Sequence, residues 1–163
     1  MEQISMNWYK QSQATYDFDR NKINSDFNYH IQAVLDGIKP AGDFDFKWQG
    51  QWNYTNYPMV LEAVPKIKRS RSDIDIVHYI YDSGQGEVEG YLIGKPGSVQ
   101  SIINAHQTFQ KGENNDAGHR MFGEGLGYSK EEIDKFIAIP PDPLAQEIKT
   151  DPNFKPYFRY EKV

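Results

Sequence analysis

The chain has no cysteine among its 163 residues, which excludes a disulfide scaffold, thiol-based catalysis and a Cys-ligated zinc module. It is short of leucine and valine, which together number 12 against 23 aromatic side chains. No run approaches the ~20 apolar residues of a membrane span. The first residues, Met1 to Ser5, have neither the basic nor the apolar region of a secretory signal. Positive charge is in the minority: 18 Lys and Arg face 23 Asp and Glu, a net charge of −5. Coating nucleic acid needs the opposite balance, to neutralise phosphates. These absences leave a cytoplasmic location as the expectation, exclude a membrane partner and argue against nucleic acid as the main partner.

What is present is an ordinary globular composition, 38% apolar and 25% charged. A chain of this length buries about 70% of its unfolded surface, enough for one core. Residues 1–163 are therefore expected to form a single domain, with 1–20 as an irregular lead-in. Isoleucine (15) far exceeds leucine (5), and lysine (13) exceeds arginine (5). That bias fits AT-rich coding and points to a low-GC bacterium or its phage.

The apolar positions Phe27, Ile31, Val34, Leu35 and Ile38 recur at helical spacing from Ile23, and Gly37 and Pro40 end the helix. The period then changes. Phe44, Phe46, Trp48, Trp52 and Tyr54 all fall on even positions, the alternation of a strand with an aromatic face. A two-residue loop at Gln49-Gly50 would split these aromatics between the two faces. A three-residue loop, Gln49 to Gln51, keeps them together, as does one long strand over 43–55 bulged at Gly50, and the pattern does not choose between those two. A short helix from Pro58 carries Val60, Leu61 and Val64, and Pro65 is expected to break or end it. Alternation over 74–82 and 87–93 around Gly84 and Gly86 predicts a β-hairpin.

Beyond Gly94 a helix carries Val99, Ile102, Ile103, His106 and Phe109. Met121, Phe122 and Leu126 predict another, closed by Gly127. Ser129 and Glu132 form a capping box for a third through Ile137, so the last two make an αα-hairpin. Five of the nine prolines lie between Pro140 and Pro156. They predict an extended tail over 140–163, which Phe154, Tyr157, Phe158 and Tyr160 hold against the domain. The expected class is α+β: a small antiparallel sheet packed with an N-terminal helix, a helical C-terminal half and a proline-rich tail.

Motifs that carry chemistry are sparse. Asp17, Asp19 and Asn21 match the opening of an EF-hand loop, but Lys22 stands at its glycine position and Asn28 at its glutamate position. The histidines His30, His78, His106 and His119 lack chelating spacing, so no metal is implied. His106, on an apolar stripe, reads as a hydrogen-bonded core histidine. His119 precedes Arg120 in the glycine-rich stretch 118–127, which makes the two a candidate anion-binding pair. The turn Gly94-Lys95-Pro96-Gly97-Ser98 leads into a helix N-terminus, where free N–H groups favour anions; Lys95, Gly97 and Ser98 are its candidate residues. Lys66, Lys68, Arg69 and Arg71 form a basic patch, read as a solvated loop or edge segment. Asp43/Asp45, Asp73/Asp75 and Glu87/Glu89 are carboxylate pairs at i,i+2, about 6.6 Å apart on a strand. That is near an inverting glycosidase's separation, but the aromatics beside Asp43 and Asp45 face the other way.

With no thiol, metal cluster or serine elbow, catalysis would have to rest on His119, the candidate catalytic residue, and its neighbours. The expected function is therefore a non-enzymatic binding or interaction protein, an accessory or regulatory factor with a protein or small anionic ligand as partner and no cofactor. The alternative is an enzyme or receptor for a phosphate- or carboxylate-bearing ligand, with His119 as acid or base and Arg120 as anion clamp.

Overall fold

The computed structural model describes residues 20–48, 50–52, 56–82, 84, 86–110, 115–139 and 153–163. The lead-in with Asp17 and Asp19 and most of the proline-rich segment lie outside the described residues. The elements run α1 (Arg20–Leu35), β1 (Ala41–Trp48), β2 (Gln51–Trp52), α2 (Asn56–Ser70), β3 (Asp75–Asp82), β4 (Glu87–Gly94), α3 (Pro96–Gln110), α4 (Asn115–Leu126), α5 (Lys130–Ile137) and β5 (Tyr157–Lys162). The strands form one sheet in the order β2-β1-β4-β3-β5, with every neighbouring pair antiparallel. The class is α+β, as the periodicities predict.

Both faces of β3 and β4 carry buried apolar side chains, Ile76 and Ile93 on one and Val77, Tyr79, Val88 and Leu92 on the other, so both faces of the sheet must be covered. On one face α1 and α2 pack Phe27, Ile31, Val34, Val60, Val64 and Ile67 against Phe44, Phe46, Ile76 and Ile93. On the other, α3 and α4 bring Val99, Ile102, Phe122 and Leu126 over Ala41, Val77, Tyr79, Val88 and Leu92. Each such side chain, fully buried, stabilises the fold by roughly 1.5–3 kcal/mol before entropy is counted.

Three local expectations are corrected. First, β1 and β2 pair with only two residues between their ends, with Trp48 opposite Gln51 and Lys47 opposite Trp52. Gly50 has φ +77°, as a tight hairpin turn requires. The aromatics are not all split, because β1 bulges: Asp45 faces Gly90 and Lys47 faces the next residue, Glu89. The extra residue brings Phe46 and Lys47 to one side. There Trp52 stacks on Phe46 at 5.8 Å, and the Lys47 ammonium lies 4.9 Å from the Trp52 ring centre. Trp48, on the other side, is 59% exposed. The strand's aromatics are thus core at Phe44 and Phe46 and surface at Trp48.

Second, Pro65 does not end α2, which runs on to Ser70. Proline removes the bond to the carbonyl four residues back. Here that residue is Leu61, on the solvent side of the helix, where water can take the carbonyl. Buried Val64 and Ile67 on the inner side hold the continuation in place. Third, the basic run is therefore mostly helical, not a loop. Lys68 and Arg69 occupy the last turn of α2, where the helix dipole favours cations.

The tail also takes regular form, as β5 paired along β3. Its first residue helps to seat it: the Tyr157 hydroxyl donates to Glu87 Oε2 at 2.7 Å. Lys47 reaches Glu87 Oε1 at 2.6 Å. That hydrogen bond to Glu87 pushes the Tyr157 phenol up to about 12, while Lys47 holds Glu87 below the usual carboxylate range.

The glycines of α3 and α4 differ in what surrounds them. A Cβ on Gly97 meets open space, whereas one on Gly125 falls 2.6 Å from Ile102 Cγ1 and 2.9 Å from the Ser98 carbonyl oxygen. Urea unfolding should accordingly find Gly97→Ala neutral or stabilising by up to about 1 kcal/mol. Gly125→Ala should be destabilising by about 1–3 kcal/mol, because α3 and α4 must move apart.

Candidate functional site

Two features on the α3/α4 side of the sheet carry chemistry. The first begins with Asp43 and Asp45. If the aromatics at 44 and 46 fill the core under α1 and α2, the acids on the intervening positions must face the other way. Because α3 and α4 cover that face too, the acids are drawn under helices instead of being left in water.

Asp43 is met by two donors. The Tyr79 hydroxyl donates to Oδ1 at 2.6 Å, and His106 Nε2 lies 3.0 Å from Oδ2. Against an ionised carboxylate the imidazole must donate, which places a proton on Nε2. The other ring nitrogen, Nδ1, is buried with no hydrogen-bond partner among the described residues. Tyr79 reaches Asp43 across Gly90: a Cβ there would lie 2.6 Å from Asp45 Cα and 2.9 Å from the Tyr79 hydroxyl. The rings of Tyr79, Tyr81, Phe122 and Tyr160 surround His106 at centroid distances of 4.9–6.0 Å.

Asp45, next on the same strand face, is raised to about 7, by burial first and by the Asp43 charge second. Burial and the same two carboxylates push the Tyr79 and Tyr81 phenols up, so both stay protonated. A carboxyl that exchanges its proton near neutrality, beside a histidine oriented by a carboxylate, is the arrangement acid–base chemistry uses. On the opposite face of the sheet, His78 Nε2 lies 2.7 Å from Glu89 Oε2 and forms a second, more exposed histidine–carboxylate pair.

The second feature is a cleft of about 590 Å³ between α3, α4 and α5. Its walls are chiefly Phe109, Phe122, Leu126, Ile133, Phe136 and Ile139, with His119 set among them. The capping box predicted at Ser129 and Glu132 starts α5, and Ile133 packs close against Gly123. That closeness brings Phe136 up beside His119. The His119 ring lies 5.0 Å from Phe109 and 5.1 Å from Phe136. Phe136 and Ile139 remain 49% and 64% exposed at the rim. Phe122 belongs to both features, since it lines the cleft and stacks on His106 at 5.8 Å.

The other candidates fall elsewhere. Arg120 forms an ion pair with Asp134 of α5 at 2.7 Å. Lys95 and Gly97 are exposed where β4 turns into α3, and neither they nor Ser98 lines the cleft. Of the candidate anion-site residues, only His119 lines the cleft. In the basic patch, Lys66 pairs with Glu62 at 3.0 Å. Arg71 grips Asp73 through two bonds of 2.9 Å and donates to the Leu35 carbonyl. The histidine–carboxylate pair His106–Asp43 was not foreseen. The signal that could have found it is a histidine on an apolar stripe together with acids on a strand whose neighbours are all core.

Among the described residues, no three potential metal-ligating side chains gather at one point, and no helix is long and apolar enough to cross a membrane. No protein-family model, curated protein or solved structure matches the chain.

The raised Asp45 sets a sign for the pH dependence of stability. Between the ordinary value, 3.8, and about 7, the unfolded chain has lost this proton while the folded chain keeps it. Stability must therefore fall as pH rises through that window. Urea unfolding at pH 5 and pH 8 should show Asp45→Asn gaining on the wild type at the higher pH, by on the order of 3 kcal/mol. An unchanged difference between the two proteins would mean that Asp45 titrates normally.

Proposed function

We propose that the chain is a binding protein that holds a small, largely apolar organic molecule in the cleft between α3, α4 and α5, with His119 as the polar anchor. The cleft carries this reading. Its volume lies within the 300–1,000 Å³ typical of ligand sites, and it combines a mainly apolar wall with few polar groups. Such a ligand gains from leaving water against Phe109, Phe122 and Phe136, and one hydrogen bond or ring contact at His119 fixes its orientation. An accessory or regulatory role in the cytoplasm fits a cysteine-free, acidic chain.

A second reading is an acid–base enzyme, favoured by Asp43, Asp45 and His106 lying one aromatic ring, Phe122, behind the cleft. The reading with a phosphate- or carboxylate-bearing ligand held by Lys95, Ser98, His119 and Arg120 has less support, since Arg120 would first have to leave Asp134.

Anilinonaphthalene sulfonate, an aromatic anion whose fluorescence reports apolar sites, supplies the test. It should bind the native protein saturably at one site and raise its melting temperature, by the equivalent of about 2.7 kcal/mol at a hundredfold excess over Kd. The rim variants Phe136→Ser and Ile139→Ser should weaken binding about tenfold each while remaining folded. His119→Ala should weaken it less. Non-saturable binding, or rim variants that bind like the wild type, would remove the cleft as the site.

A further inference from the structure

Among the described residues the sheet ends at β5, and the hydrogen bonds of that strand fix the direction of its backbone groups. The Val163 N–H donates to the Ile76 carbonyl at 2.9 Å, and the register places Val77 opposite Lys162. Val163 and Ile76 are thus directly opposed and hydrogen-bonded. In an antiparallel ladder such pairs alternate. Residues 157, 159, 161 and 163 therefore bond to β3, and the N–H and C=O groups of residues 158, 160 and 162 point away from it, to the outer edge.

A strand edge of this kind is a template for another strand, and natural edges are usually blunted by charged side chains, proline, bulges or inward charge. Over Tyr157–Lys162, β5 has no proline. Its charges instead follow a pattern that suits a second copy of itself. If two β5 strands pair antiparallel about a two-fold axis, outward-pointing residues must meet outward-pointing residues, which leaves three registers with extensive overlap. Centred on 159, the pairing opposes Arg159 to Arg159. Centred on 161, it opposes Glu161 to Glu161. Centred on 160, it opposes Arg159 to Glu161 twice, once on each side of the axis.

We propose that β5 is a homodimer interface in which two copies pair antiparallel about an axis at position 160, extending the sheet to ten strands. In this register Phe158 faces Lys162 of the second copy in hydrogen-bonded pairs. Arg159 and Glu161 fall in the non-hydrogen-bonded pairs, where opposed side chains come closest. Arg159 is 64% and Glu161 62% exposed, and the ion pair of 3.6 Å that they form within one chain would be exchanged for pairs across the axis. Tyr157, Phe158 and Val163, each more than a third exposed, lie beside the same edge and would lose water on pairing. The two-fold repeats every contact, which is the usual form of a closed dimer. The two like-charged registers are disfavoured by the same residues, so the charge pattern selects one alignment as well as one partner.

Sedimentation equilibrium of the full chain tests this. The wild type should be a dimer. Arg159→Glu and Glu161→Arg, which create like-charged pairs across the axis, should each weaken dimerisation by about tenfold or more. The double variant Arg159→Glu/Glu161→Arg restores opposite charges in every pair and should recover it. All these positions are exposed, so circular dichroism should report unchanged folds. A monomeric wild type, single variants that associate like the wild type, or a double variant as weak as the singles would each overturn the proposal.

Discussion

A carboxylate can lie between a sheet and the helix covering it only if donors meet its charge, and much of this structure is arranged around that condition at Asp43. Tyr79 must cross the sheet to reach it, which requires Gly90 to have no side chain. His106 must stand at the right height on α3, which requires the helix to begin directly after β4. Leaving a buried charge without its partner is destabilising by about 3–5 kcal/mol. Once Asp43 is placed under α3, neither Tyr79 nor His106 is free to be something else. The net stability gained from such a network is modest. Its main effect is to seat α3 in one position on the sheet.

The seating of α3 governs what lies beyond it. Gly125 of α4 sits against Ile102 and the Ser98 carbonyl, so the two helices approach closely and Phe122 comes to rest on His106. Gly123 does the same for Ile133 of α5. The helical layer is thus tight at its base and open at its rim, where Phe136 and Ile139 stand clear of the core. Close packing beneath an open rim makes a cleft with a rigid floor. The floor is shared with the Asp43 network, so a ligand against Phe122 would lie one ring from a histidine held by a carboxylate.

Features governed by near neighbours in the chain were legible. The capping box of Ser129 and Glu132, the β3–β4 hairpin and the stripe of α3 each rest on contacts within a few residues, and each formed where the pattern placed it. Pro65 was misread because its effect depends on which side of the helix faces water, and that is set by the sheet. The β1–β2 turn was misread because a bulge two residues upstream, visible only in the pairing with β4, rescued part of the aromatic face. His106 was rightly read as a hydrogen-bonded core residue, but its partner 63 residues away was not. The alternation places Asp43 on the face opposite the aromatics, but only the cover of α3 over that face makes it a buried acid.

Composition and periodicity by themselves determined the class: a cysteine-free, acidic α+β chain with a helix ahead of the sheet, a hairpin within it and helices after it. These follow from local spacing, because a helix or strand is chosen by which neighbours share a face. Only the tertiary structure decided that the sheet is covered on both faces, that Asp43 meets Tyr79 and His106, that Arg120 is bound to Asp134, and that the tail joins the sheet as the edge strand β5. Each of these joins residues distant in the chain, and their meeting depends on strand order and helix placement, which no local pattern encodes. Burial acts through the same long-range geometry, and it is burial that turned an ordinary aspartate at position 45 into a group that titrates near neutrality.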